Sequence, residues 1–151
     1  MILKEYRKIL CPVDGHRESL KGFDIALNLC KLTGAELSVL YVVDVDQPVL
    51  GGIETDLYRE SRYHGRKLLD SLKEEAKKTG ISISTFMRTG EAAPEIIEVS
   101  KDYDLIIMGT RGRSTLASVI MGSVADRVLR EACCPVLLTR LSECDRARAK
   151  V

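Results

Sequence analysis

The sequence predicts a doubly wound α/β domain: a five-stranded parallel sheet with helices on both faces. Three observations carry that reading. Strand-like apolar runs alternate with helix-like segments along nearly the whole 151-residue chain. The run Asp104-Leu105-Ile106-Ile107-Met108 reads as a strand buried on both faces, as interior parallel strands are. Glycines punctuate the chain beyond it: Gly109 closes that run, Gly112 comes next, and Gly122-Ser123 opens an amphipathic helix predicted over Val124 to Ala132.

Lys8 to Val13 is the first strand, closed by Asp14-Gly15. Leu20, Phe23, Ala26, Leu27 and Cys30 line one face of a helix that ends at Thr33-Gly34. Glu36 to Val43 is the second strand. A loop from Asp44 to Thr55, with Pro48 and Gly51-Gly52, could close over a ligand. A long polar helix runs from about Asp56 to Lys78, with mixed charges typical of a solvated face, and stops at Gly80. Ile81 to Met87 alternates with period two and has one wetter face, which suits a sheet edge. Pro94 pre-sets the first turn of a helix through Ile96, Ile97 and Val99. Asp104 to Met108 is the fourth strand and Pro135 to Thr139 the fifth. The polar, basic stretch from Arg140 to Val151 is expected to be a flexible tail. There is no repeat, linker or low-complexity block, so residues 1–151 read as one domain.

Composition narrows the function. Lys and Arg number 23 against 22 Asp and Glu, a net charge of +1, so no global field favours nucleic acid or an anionic membrane. No apolar run approaches the ~18 residues that span a bilayer, and the first residues lack a signal-peptide core. The five cysteines have no metal-ligand spacing, which points to reduced thiols and a cytoplasmic protein. Adjacent Cys133 and Cys134 read better as one buried and one partly exposed small residue than as a redox pair.

The glycine pattern is where chemistry enters. A buried strand ends in a glycine loop and a second glycine opens a helix, which is how backbone amides are aimed at a phosphate. In doubly wound sheets ligands bind at the carboxyl ends of the strands, where the winding reverses. Asp14-Gly15 and Gly109 both stand at such ends. If their strands are neighbours, the order is 3-2-1-4-5 and the cleft lies between them.

Gly109-x2-Gly112-x9-Gly122-Ser123, with Pro12-Val13-Asp14-Gly15 and Cys134-Pro135-Val136-Leu137, resembles the universal stress protein family, and its ATP-binding branch in particular. The resemblance runs from about Lys8 to Arg140. It implies a Rossmann-like fold and a regulatory or sensing module that binds ATP or AMP, with Mg2+ carried by the nucleotide. Gly109 and Gly112 would let the loop wrap the phosphates. Ser123 would bond one by its hydroxyl, and Gly122, Ser123 and Val124 would offer N–H groups. Arg111 and Arg113 could lend charge, and Asp14 would lie near the ribose or the metal-bound phosphates. Val42 would present backbone groups to the adenine edge, and Pro12, Val13 and Met108 would line an apolar wall. The resemblance also implies a homodimer that pairs fifth strands, here Pro135 to Thr139. Many members have serine two residues after the aspartate; this chain has His16, either a loop spectator or a group that reaches the ligand.

Plainer readings exist for each residue. Ser123-Val124-Ala125-Asp126 fits a capping box, so Ser123 could cap its helix. Gly109 and Gly112 could be turn glycines, Asp14 a turn carboxylate, and Arg111 and Arg113 solvated charges. No P-loop lysine motif or nucleophile elbow is present, and neither His16 nor His64 is placed as a base beside a nucleophile. No catalytic residue is therefore assigned. Efficient hydrolysis is not expected, and the alternative is a slow ATPase or phosphotransferase at the same site. A phosphoacceptor domain fits worse, because Asp14 stands alone, Thr89-Gly90 comes after the third strand and Arg140 after the fifth.

Overall fold

The computed structural model describes residues 5–44, 54–110 and 121–148. The strands are β1 (Lys8–Pro12), β2 (Glu36–Val43), β3 (Ser84–Thr89), β4 (Leu105–Gly109) and β5 (Val136–Thr139). They alternate with α1 (Arg17–Thr33), α2 (Asp56–Lys78), α3 (Ala92–Ser100) and α4 (Ser123–Glu131), and α5 (Glu143–Arg148) comes last. All strand pairs are parallel and the order is β3-β2-β1-β4-β5, as predicted. The winding reverses between β1 and β4.

Strand alternation splits the core into two layers. Ile9, Cys11, Val39, Tyr41 and Ile107 pack with Phe23, Ala26, Leu69 and Leu72 under α1 and α2. Leu10, Leu40, Ile106 and Met108 pack with Ile96, Val99, Ala125 and Val128 under α3 and α4. α2 lies close over β2 because Gly65 has no side chain. A Cβ there would stand 2.4 Å from the Tyr41 ring.

Helix ends explain the boundaries. Gly34 adopts left-handed backbone (φ 76°) and returns its N–H to the Cys30 carbonyl at 2.8 Å. At the end of α2 the N–H of Gly80 bonds the Lys77 carbonyl and that of Ile81 bonds Ala76, a Schellman closure. Ile81 is thereby spent on the helix end, and the third strand starts at Ser84 instead of Ile81. It is the sheet edge that its wetter face suggested, since β3 pairs with β2 alone. The first strand stops at Pro12, one residue before the predicted Val13.

The stretch after Arg140, expected as a flexible tail, contains α5. Ser142 and Asp145 form a reciprocal cap: Ser142 N–H donates to Asp145 Oδ2 (2.8 Å), and Asp145 N–H donates to Ser142 Oγ (3.2 Å). Lys21 Nζ on α1 donates to Asp145 Oδ2 at 2.5 Å and to the Arg140 carbonyl at 2.9 Å, which holds α5 against α1. Bonds from Lys21 and then from Ser142 keep the Asp145 carboxyl well below the usual carboxylate range. Burial pushes the Cys11 thiol well above its ordinary value and Cys30 up to about 11. Cys133 is exposed and Cys134 buried, in line with the sequence expectation.

Gly65→Ala drives a methyl group into the Tyr41 ring and should lower stability by ~1–3 kcal/mol in urea unfolding, as overpacked cores do. Asp145 sets a second expectation. Because its folded-state value is depressed, its contribution is present above the ordinary carboxylate value and is lost only as pH falls through the depressed one. The Asp145 carboxyl carbon should thus titrate by NMR below the ordinary ~3.9, and Lys21→Met should move the midpoint upward.

Candidate functional site

A cavity of about 310 Å3 opens where β1 and β4 part. Its lining includes Pro12, Val13, Asp14, Val42, Met108, Gly109, Gly122, Ser123 and Val124. These are the residues that the sequence singled out, apart from Arg111, Gly112 and Arg113, which lie outside the described residues, as does most of the loop from Asp44 to Thr55. Asp44, the first residue of that loop, lines the cavity, and Ser19, Leu40, Tyr41, Ala92, Ile96, Thr110 and Ala125, which were not foreseen, complete the lining.

One wall is the turn between β1 and α1. Asp14 Oδ1 accepts the His16 N–H at 2.9 Å, so the plainer reading of Asp14 as a turn carboxylate is true of that oxygen. Oδ2 takes no part in that bond. Gly15 makes the bend with φ 87°. Ser19 Oγ accepts the Asp14 N–H at 3.3 Å and donates to the His16 carbonyl at 2.9 Å, tying the turn to the first turn of α1. His16 is the N-cap of that helix but gives it no side-chain bond. Its Nδ1 lies 3.2 Å from Asp14 Oδ1, an ion-pair distance for a protonated ring, yet off-angle for a hydrogen bond, so that atom is buried without a hydrogen-bond partner. His16 does not line the cavity.

The opposite wall is β4 and the start of α4. Gly109 is required by close approach: a Cβ there would stand 2.9 Å from the Glu18 carbonyl carbon and from Ser19 N. Gly122, not Ser123, is the N-cap of α4, and its carbonyl accepts the Asp126 N–H at 3.0 Å. Ser123 is therefore the first helical residue. The capping-box reading is corrected, because the side chain that would cap stands one position too far into the helix. The Gly122 N–H is also committed, to the Thr110 carbonyl at 2.6 Å. The amides that the helix start leaves for a ligand are those of Ser123, Val124 and Ala125, at the positive end of the helix dipole.

The third surface comes from β2, which outruns β1. Leu40 turns its carbonyl to β1, where it accepts the Val13 N–H at 2.9 Å, while Val43 turns its carbonyl to the β3 side and accepts from Gly90 at 3.0 Å. Successive strand residues alternate in this way. Val42 therefore turns its N–H and C=O toward the β1 side, beyond the last paired residue Pro12. Leu40, Val42, Ala92, Ile96 and Met108 form an apolar slot beside it, and the exposed Asp44 carboxylate belongs to the same lining.

The unforeseen residues had weak signals. Ala92 and Ile96 sit one turn apart on α3, which sequence places on a face but not over a cavity. Ser19 looked like any polar residue of a first turn. Among the described residues no group of His, Cys, Asp and Glu is arranged to hold a metal by itself, and no helix is long and apolar enough to cross a membrane.

Comparison with known proteins finds relatives over nearly the whole chain. A family model described as the universal stress protein family matches residues 5–140. Universal stress protein MJ0531 of Methanocaldococcus jannaschii is 39% identical over 143 residues, covering 89% of this chain and 82% of that protein. Among solved structures, universal stress protein UspA from Lactobacillus plantarum superposes with a TM-score of 0.82 at 26% identity, over 91% of this chain and all of that one. Two more distant structures share the fold. One is a universal stress protein in complex with cAMP (TM-score 0.72, 23% identity, 91% of this chain and 99% of that one). The other is a family protein from Arabidopsis thaliana with AMP bound (0.67, 15%, 92% and 94%).

Proposed function

The chain belongs to the universal stress protein family, and on that premise we propose that its cavity binds an adenine mononucleotide, ATP or AMP, as a regulatory or sensing module of the cytoplasm. The observation that carries this reading is the meeting of three unlike surfaces in one cavity: an apolar slot, a backbone donor–acceptor pair and a row of helix amides. A planar base suits the slot of Leu40, Val42, Ala92, Ile96 and Met108. The Val42 N–H and C=O match an edge that offers one acceptor and one donor, as adenine does at N1 and N6. The amides of Ser123, Val124 and Ala125 and the Ser123 hydroxyl suit phosphate oxygens. Arg111, Gly112 and Arg113 join the phosphate end in this reading. Asp14 Oδ2 is left for a ribose hydroxyl or for the hydrated Mg2+ that ATP brings. The relatives with cAMP and AMP support the ligand class.

Nucleotide acts here by population shift: it favours the arrangement of the site that it binds better, and a partner surface reads the difference. The reading assigns binding to this site, with slow hydrolysis or phosphotransfer there as the alternative.

Purified protein denatured and analysed by chromatography should release ATP, ADP or AMP. By calorimetry Gly122→Val should weaken added Mg·ATP at least about tenfold, and Ser123→Ala about 2–10-fold, the worth of one hydrogen bond. Absence of released nucleotide together with no binding of added Mg·ATP overturns the reading.

A homodimer through β5 belongs to the same proposal. β5 pairs with β4 on one side only, and Leu137 is 38% exposed on it. Unpaired edges of this kind are normally covered. Light scattering should give the mass of a dimer, and Leu137→Glu that of a monomer. A monomeric wild type counts against edge pairing.

A further inference from the structure

One buried hydroxyl lies outside the cavity lining and yet touches both of its walls. Thr139, the last residue of β5, is 4% exposed. Its Oγ1 lies 3.2 Å from the Glu18 carbonyl on α1 and 3.2 Å from the Met108 carbonyl on β4. Its own carbonyl accepts the Thr110 N–H at 2.8 Å. Met108 and Thr110 line the cavity, and Glu18 precedes Ser19, which holds the Asp14 turn. Gly22, one turn along α1 from Glu18, leaves room for the hydroxyl: a Cβ there would stand 3.2 Å from Oγ1. The next residue is fastened as well, since Lys21 Nζ bonds the Arg140 carbonyl.

We propose that Thr139 is a positioning residue for the nucleotide cavity, its hydroxyl pinning the first turn of α1 to the end of β4 and so setting the separation of the Asp14 wall from the Gly109–Thr110 wall. The proposal rests on the nucleotide reading of that cavity. A hydroxyl has one proton, and two carbonyls at equal distance share it. Each of those carbonyls belongs to a different wall. Valine has nearly the same shape but donates nothing, so Thr139→Val keeps the packing and releases the pin. Serine keeps the donor. Gly22→Ala displaces the hydroxyl from the other side, while alanine favours the helix it sits in.

The test is calorimetric titration of the full chain with Mg·ATP, with urea midpoints measured in parallel. Thr139→Val should raise Kd about 3–10-fold, within the range by which residues off a site modulate it. Thr139→Ser should stay within about twofold of wild type by the same measure. Gly22→Ala should weaken binding without a fall in the urea midpoint. Ile83→Val, a buried change remote from the pin, should lower the midpoint and leave Kd unaltered. Wild-type affinity in Thr139→Val, or in Gly22→Ala where the valine variant does not fold, overturns the proposal. So does a serine variant as weak as valine, which would assign the effect to the methyl group. If wild-type protein fails to bind Mg·ATP at all, the nucleotide reading itself has failed, and the titration of wild type alone reports it.

Discussion

The end of β4 lies against the first turn of α1 with no side chain between them. That contact is the constraint on which the site depends. A Cβ on Gly109 would stand 2.9 Å from the backbone of Glu18 and Ser19, which excludes one unless backbone moves. Because the backbones touch, Ser19 comes close enough to the strand ends to hold the Asp14 turn, and Thr139 can reach Glu18 and Met108 with one hydroxyl. The reversal of winding between β1 and β4 supplies the complement. α1 leaves to one face and α3 and α4 pack on the other, so space opens between strands that are tightly paired a few residues earlier.

The cavity is electrically divided. Asp14 and Asp44 contribute carboxylates, and the start of α4 contributes amides at the positive end of a dipole. An anion alone would meet repulsion from the first pair. A nucleotide whose phosphates face the amides, with a cation or ribose hydroxyls near the carboxylates, meets attraction at each part. Asp14 is already restrained by the His16 N–H, so one of its oxygens is oriented before any ligand arrives. That preorganisation lowers the entropy lost on binding.

Much of this was legible in the chain. The second strand and the long helix have the predicted bounds, the one read from its apolar run and the other from a polar, mixed-charge stretch stopped by Gly80. The strand order came from placing Asp14 and Gly109 at adjacent strand ends. What failed was local hydrogen bonding. Ile81 looks like the start of an alternating strand, but its N–H closes a helix. Ser123-x-x-Asp126 looks like a capping box and is not one, whereas Ser142-x-x-Asp145 carries the same pattern inside the supposed tail and is one. The difference is which residue precedes the first helical one: Gly122 before α4, Ser142 before α5. Thr139 could not be read at all, since its role depends on carbonyls 121 and 31 residues away.

The bond between Gly122 and Thr110 also bears on how the glycine motif works. Thr110 and Gly122 both line the cavity, and that 2.6 Å bond joins them. Thr110 is in turn fixed to Thr139, so the start of α4 is tied through Thr110 to β4 and β5. The first and last glycines of the motif thus act first on the scaffold, one by admitting α1 and the other by committing its amide to Thr110. In the proposed reading, phosphate recognition falls to the residues beyond them, Ser123 to Ala125.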